Sequence, residues 1–189
     1  MSEPSLAASS APKPVSTSED RTPAAVESLI DRFAAGGAIL VYAVAGLTAL
    51  QERARPGPGA WSIAELVAHL VDSDLVGCDR MKRVIAEDDP TLLAFDQTAW
   101  IARLRSGEMP VEEGVNLFAA NRHWMTRILR GCPPADFARA GNHTERGRET
   151  LAELLSGYVS HLDHHLRFLY GKRANLGTAV QPRYSYPIV

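Results

Sequence analysis

With 189 residues, 46% of them apolar and 22% charged, the chain is long enough for one well-buried core and too short for two full domains. That balance excludes an intrinsically disordered protein, and a net charge of −2 gives no electrostatic reason to expect a nucleic-acid partner. The two cysteines, Cys78 and Cys132, form no CxxC pair and are too few for a secreted disulfide scaffold, so a reducing cytoplasm is the expected compartment.

Residues 1–22 are rich in Ser, Pro and Ala, without the basic start and apolar core of a Sec signal, and read as a flexible tail. The first helix is expected over residues 23–53, opened by Pro23, a residue suited to a first-turn position. Its run from Phe33 to Leu50 carries no charge and reaches the length of a membrane span. Gly36, Gly37, Gly46 and several alanines dilute it, however, and Asp31, Arg32, Glu52 and Arg53 flank it without an aromatic belt. Burial among other helices of a bundle is the better reading, so no membrane partner is expected.

Pro56-Gly57-Pro58-Gly59 forces a loop. Ser62 followed by Glu65 is a capping box, and Ile63, Leu66, Val67, Leu70, Met81, Val84 and Ile85 recur at helical spacing until Asp88-Asp89-Pro90 stops the second helix near Glu87. Residues 90–110 form a long crossover with room for a short helix over 96–104. A third helix is expected over 110–130, with Val111, Val115, Phe118, Met125 and Leu129 on one side, and Gly131-Cys132-Pro133-Pro134 breaks it. Residues 134–149 read as a polar loop. Thr150 and Glu153 repeat the capping box, and Leu151, Leu154, Leu155, Tyr158, Leu162 and Leu169 mark a fourth helix that Gly171 could stop. No strand-type alternation persists. The expectation is an all-α four-helix bundle over residues 23–171, with one long crossover between helices 2 and 3 and an irregular tail over 172–189.

Six histidines are present, three of them within Ser160-His161-Leu162-Asp163-His164-His165-Leu166. At about 100° per residue, His161 and His165 fall inside the apolar stripe of the fourth helix and His164 toward its edge. An i, i+4 pair can converge on one ion, and His69, bordering the stripe of the second helix, is the natural third ligand, since bundle metal sites draw on facing helices. Spacing alone leaves open a solvated pair or a merely hydrogen-bonded core histidine, and His164 in place of His165. His123 reads as a surface residue, and His143 as a loop residue that could cap a helix, line the pocket or have no role. Both cysteines read as small buried apolar residues.

The run from Trp61 to Leu70, with its Trp-Ser start and its His-Leu, resembles the second-helix start of the DinB-like superfamily. Phe95-Asp96-Gln97 with Trp100, and the stretch from Thr150 to Leu166, resemble its crossover and closing helix, in the family's order. The superfamily includes metal-dependent hydrolases and bacterial thiol S-transferases. The resemblance implies that His69, His161 and His165 bind one divalent transition metal, zinc or nickel first among the choices. It also implies a small-molecule substrate, with a low-molecular-weight thiol in the transferases, and a homodimer. Three histidines leave open coordination positions, as catalytic sites do and closed structural sites do not. The alternative is a non-enzymatic metal-binding or interaction bundle. Asp72, Asp96, His143 and His164 are candidate general bases among which spacing does not choose; Arg122 is a candidate to hold an acidic substrate, with a long surface side chain the commoner outcome.

Overall fold

Capping boxes set where the long helices of the bundle begin. In the computed structural model, which describes residues 23–186, the Ser62 hydroxyl accepts from the Glu65 N–H, and the Glu65 carboxylate accepts from the Ser62 N–H, at the start of helix α3. Thr150 and Glu153 make the same reciprocal pair at the start of α6. The long helices are α1 (Pro23–Val44), α3 (Ile63–Ala86), α5 (Val111–Gly131) and α6 (Leu151–Asn175). Short helices α2 (Ala49–Arg53) and α4 (Gln97–Arg103) lie in the connections. Helices α1 and α3 each pack against both α5 and α6, so the first two long helices stand diagonally across the bundle. The expected all-α four-helix bundle is the observed fold.

The first helix is shorter than expected. It ends at Val44, where Gly46 turns the chain at φ +75°, a conformation that a Cβ disfavours. Thr48 then caps the separate helix α2. The uncharged run is explained by burial of Phe33, Leu40, Ala43 and Val44, and no described helix is long and apolar enough to cross a membrane.

The expected polar loop over 134–149 is instead partly ordered as strands. Strands β2 (Ala140–His143) and β3 (Gly147–Thr150) form an antiparallel hairpin, and β1 (Thr91–Leu92) in the crossover pairs in parallel with β2, placing Leu92 beside His143. Each strand is four residues or fewer, too short for a period-2 signal. At the other end, α6 runs past Gly171 to Asn175, and the turn comes at Gly177. Residues 176–186 fold back on the bundle. The Tyr42 hydroxyl donates to the Gln181 carbonyl at 3.1 Å, the Tyr170 hydroxyl to that of Arg183 at 3.1 Å, and the Asp163 carboxylate accepts from the Ser185 and Tyr186 N–H groups at 2.8 and 2.9 Å. The proposed flexible tail over 1–22 lies outside the described residues.

The core has two halves. One, around Leu66, Leu70, Phe118, Leu162 and Leu166, surrounds the histidine-bearing end; the other is built from Phe33, Met81, Met125, Leu129, Leu151 and Leu155. Arg122, expected at the surface, is fully buried between them. It is ion-paired to Asp74 at 2.8 Å, with its guanidinium 4.3 and 4.5 Å from the ring centroids of Phe33 and Phe118.

Candidate metal centre

Two helices supply the three imidazoles. His69 stands on the buried face of α3, between Leu66 and Leu70, and His161 and His165 lie one turn apart on α6. Their Nε2 atoms form a nearly equilateral triangle: 3.2 Å from His69 to His161, 3.1 Å from His69 to His165 and 3.1 Å between the pair on α6. Three nitrogens each about 2.1 Å from one ion are about 3.0 Å apart on an octahedral face and about 3.4 Å apart in a tetrahedron, so the observed edges fit either arrangement. Nitrogen donors of this kind suit a divalent transition metal, and three of them leave the remaining coordination positions to other ligands.

The surroundings keep the imidazoles neutral, the form that binds metal. His69 is buried, and desolvation pushes it down to about 4. His161 is pushed down to about 3, first by burial and then by the neighbouring imidazoles and the charges of Arg122 and Arg146. His165 is lowered by burial and by the other histidines. The Trp61 ring packs against His69 with centroids 5.1 Å apart, and Ser73 Oγ stands 3.5 Å from His69 Nδ1, a long contact on the far side of the ring.

The other candidates separate from this triad. His164 turns its ring against His165 and Phe168 and contributes no atom to the triangle. His123 is exposed on α5, as expected. His143 is buried in β2, where its Nδ1 accepts from the N–H groups of Glu145 and Arg146. Asp96 caps α4, accepting from the Ala99 N–H at 2.9 Å. Asp72 is half-buried, and burial raises its carboxyl above the usual range.

Sequence reasoning missed two polar residues beside the site. Arg80 donates through Nη1 to the Tyr158 hydroxyl at 2.9 Å and through Nη2 to the Leu93 carbonyl. Tyr158, read only as part of an apolar stripe, lies one turn before His161 with ring centroids 6.5 Å apart. Its ring crosses α3 at Gly77, where a Cβ would come within 2.3 Å of it. A signal for Arg80 existed: eleven residues advance about 1,100°, so Arg80 returns to within about 20° of His69 on the helix wheel.

A protein of Oceanobacillus iheyensis, described as a candidate metal-dependent hydrolase, is 30% identical over 109 residues, 57% of this chain and 62% of the relative, so the chain spans less than two thirds of that relative's length. A Bacillus mycoides protein of the same description is 30% identical over 119 residues, 62% of this chain and 68% of its own. The solved structure of YfiT from Bacillus subtilis, described as a candidate metal-dependent hydrolase with an unusual four-helix bundle topology, superposes with a TM-score of 0.77. It covers 82% of this chain and 90% of its own at 24% identity, which speaks for the fold. A family model matches residues 16–169, and on that match the chain belongs to the DinB superfamily.

Proposed function

We propose that this chain is a metal-dependent enzyme acting on a small molecule, with His69, His161 and His165 holding one divalent ion, zinc or nickel. The observation that carries the reading is the triangle of three Nε2 atoms at 3.1–3.2 Å, all on neutral imidazoles and all supplied by two facing helices. A bound ion of this kind supplies Lewis acidity, which makes a water or a thiol nucleophilic at neutral pH. The protein's own part is to hold the three rings in register. Trp61 and the α3 core fix His69, and the helical i, i+4 spacing fixes the other two. Hydrolysis and transfer of a low-molecular-weight thiol use the same arrangement and differ only in which nucleophile reaches it. The descriptions of the two relatives favour hydrolysis.

A purely structural staple is disfavoured by the two extended apolar clusters, which give the bundle a core without any ion. The test is elemental analysis of protein purified without an affinity tag, followed by ester, amide and thiol-plus-electrophile panels on metal-loaded and chelated samples. About one equivalent of metal and metal-dependent turnover of one panel are expected. A metal-free protein with an intact fold, or turnover that survives chelation, would sink the reading.

A further inference from the structure

Three arginines are buried among the described residues, and two of them have an evident counterpart. Arg122 is paired with Asp74. Arg173 donates through Nη1 to the carbonyls of Ala43 and Ala45, at the negative end of the α1 dipole, and through Nε to that of Thr178. Arg80, 4% exposed, differs. Among the described residues its partners are the neutral Tyr158 hydroxyl and one carbonyl, Leu93; no described carboxylate pairs with it, and its Nε–H has no acceptor there. A buried guanidinium without an anion is costly to maintain.

The neighbouring groups are also donors without acceptors. His143, 4% exposed, accepts two backbone N–H groups at Nδ1, which places its proton on Nε2, and that atom has no partner among the described residues. The Tyr158 oxygen accepts from Arg80, and its own proton finds no acceptor among the described residues. The fold gathers these groups. Leu92 pairs with His143 across the sheet, the next carbonyl in the chain holds Arg80, and Arg80 holds Tyr158 one helical turn from His161. Arg146 is bound to Glu149 through two hydrogen bonds, and His143 feels the positive charges of Arg146 and Arg80 against the negative charges of Glu149 and Glu145.

Three donors lie around Arg80 without acceptors among the described residues, and with them one buried positive charge without a carboxylate partner; together they match a monoanion with two acceptor oxygens. A water brings no charge, and a phosphate dianion would ask for a second unpaired cation. We propose that Arg80, His143 and Tyr158 form a carboxylate-binding subsite, and that the substrate carries a carboxylate on the arm remote from the atom reacting at the histidine triad. The subsite extends the metal-centre reading above and rests on it for the position of the reacting atom.

The experiment uses the cobalt(II)-loaded protein and a series of ω-mercaptocarboxylates of increasing chain length, each set against the ω-mercaptoalcohol of equal length. Binding is followed by the thiolate-to-cobalt charge-transfer band. At least one acid should bind about tenfold more tightly than its neutral counterpart, the gain expected of charge-assisted hydrogen bonds. That preference should vanish in Arg80→Gln and shrink severalfold in Tyr158→Phe, which removes the hydroxyl, and with it the acceptor of Arg80 Nη1, and keeps the ring on Gly77. Absence of any acid preference, or a preference untouched by Arg80→Gln, would overturn the subsite. If Arg80→Gln does not fold, an unchanged preference in Tyr158→Phe overturns it equally. A second arm needs no metal: propionate is titrated into isotope-labelled apoprotein while the Arg80 Nε–H and His143 Nε2–H resonances are watched. Saturable shifts support the subsite even if cobalt fails to bind, an outcome that would sink the metal reading alone. Resonances that exchange with water and ignore propionate mean an ordered water only, and overturn the proposal.

Discussion

At the scale of single residues, burial decides the protonation of the triad, and protonation decides its use. His69 titrates near 6.5 in an unfolded chain and near 4 in place, so between these values the unfolded chain takes up a proton that the folded one refuses. The contribution to stability is therefore complete above about pH 6.5 and is lost as pH falls toward about 4, at about 1.4 kcal/mol per pH unit for each group so shifted. Urea unfolding of the metal-free protein should show this slope, and a His69→Leu variant should show a shallower one. The same shift predicts that protons displace metal well below the range set by an exposed histidine. Metal content measured after equilibration at stepwise lower pH should hold through about pH 6 and collapse only nearer the lowered values. Removing one ligand, as in His165→Gln, should lower metal affinity by at least tenfold, roughly the loss expected even for a supporting residue of a metal site. Circular dichroism should stay unchanged, because glutamine is a good helix former.

At the scale of elements, the approach of α3 to α6 depends on the absence of a side chain at Gly77, over which the Tyr158 ring lies. Gly77→Val would drive a branched side chain into that ring. It should cost about 3 kcal/mol, the upper part of the range for overpacking, read as a fall in the urea midpoint, and it should also separate Tyr158 from Arg80. Helix starts and the histidine pair of the last helix were legible in the sequence because both are local. Ser62 with Glu65 and Thr150 with Glu153 are fixed three-residue patterns, and His161 with His165 follows from helical periodicity alone. Joining His69 to that pair needed the assumption that two apolar stripes face each other, which the bundle satisfies. What escaped was set by contacts distant in sequence. Strand β1 pairs with a hairpin about fifty residues away, as the partnership of Leu92 with His143 shows. Residues 176–186 show no periodicity, yet Asp163, Tyr170 and Tyr42 hold them down.

At the scale of the whole molecule, the Asp74–Arg122 pair separates one half of the core from the other. Both side chains are 2% exposed, Asn121 donates to the second Asp74 oxygen at 2.7 Å, and the guanidinium also reaches the carbonyls of Phe33 and Tyr158. Those contacts tie α1, α3, α5 and α6 at a single level. A surface reading of Arg122 failed because its charge, taken alone, argues for solvent, whereas an aspartate on another helix and two flanking phenyl rings make the interior tolerable. Asp74→Ala leaves a buried cation without its anion and should destabilise the fold by about 3–5 kcal/mol. The paired replacement Asp74→Leu with Arg122→Met removes both charges and should recover most of that loss, since apolar substitutes for a buried pair are often no less stable. If this layer serves to set helix register rather than stability, the recovered double variant should still bind metal less tightly than the wild type. Misregister of α3 against α6 by even a fraction of a turn would open the 3.1–3.2 Å triangle of Nε2 atoms. Equal metal affinity in the double variant and the wild type would assign the pair to neither role and leave apolar packing alone in charge of alignment.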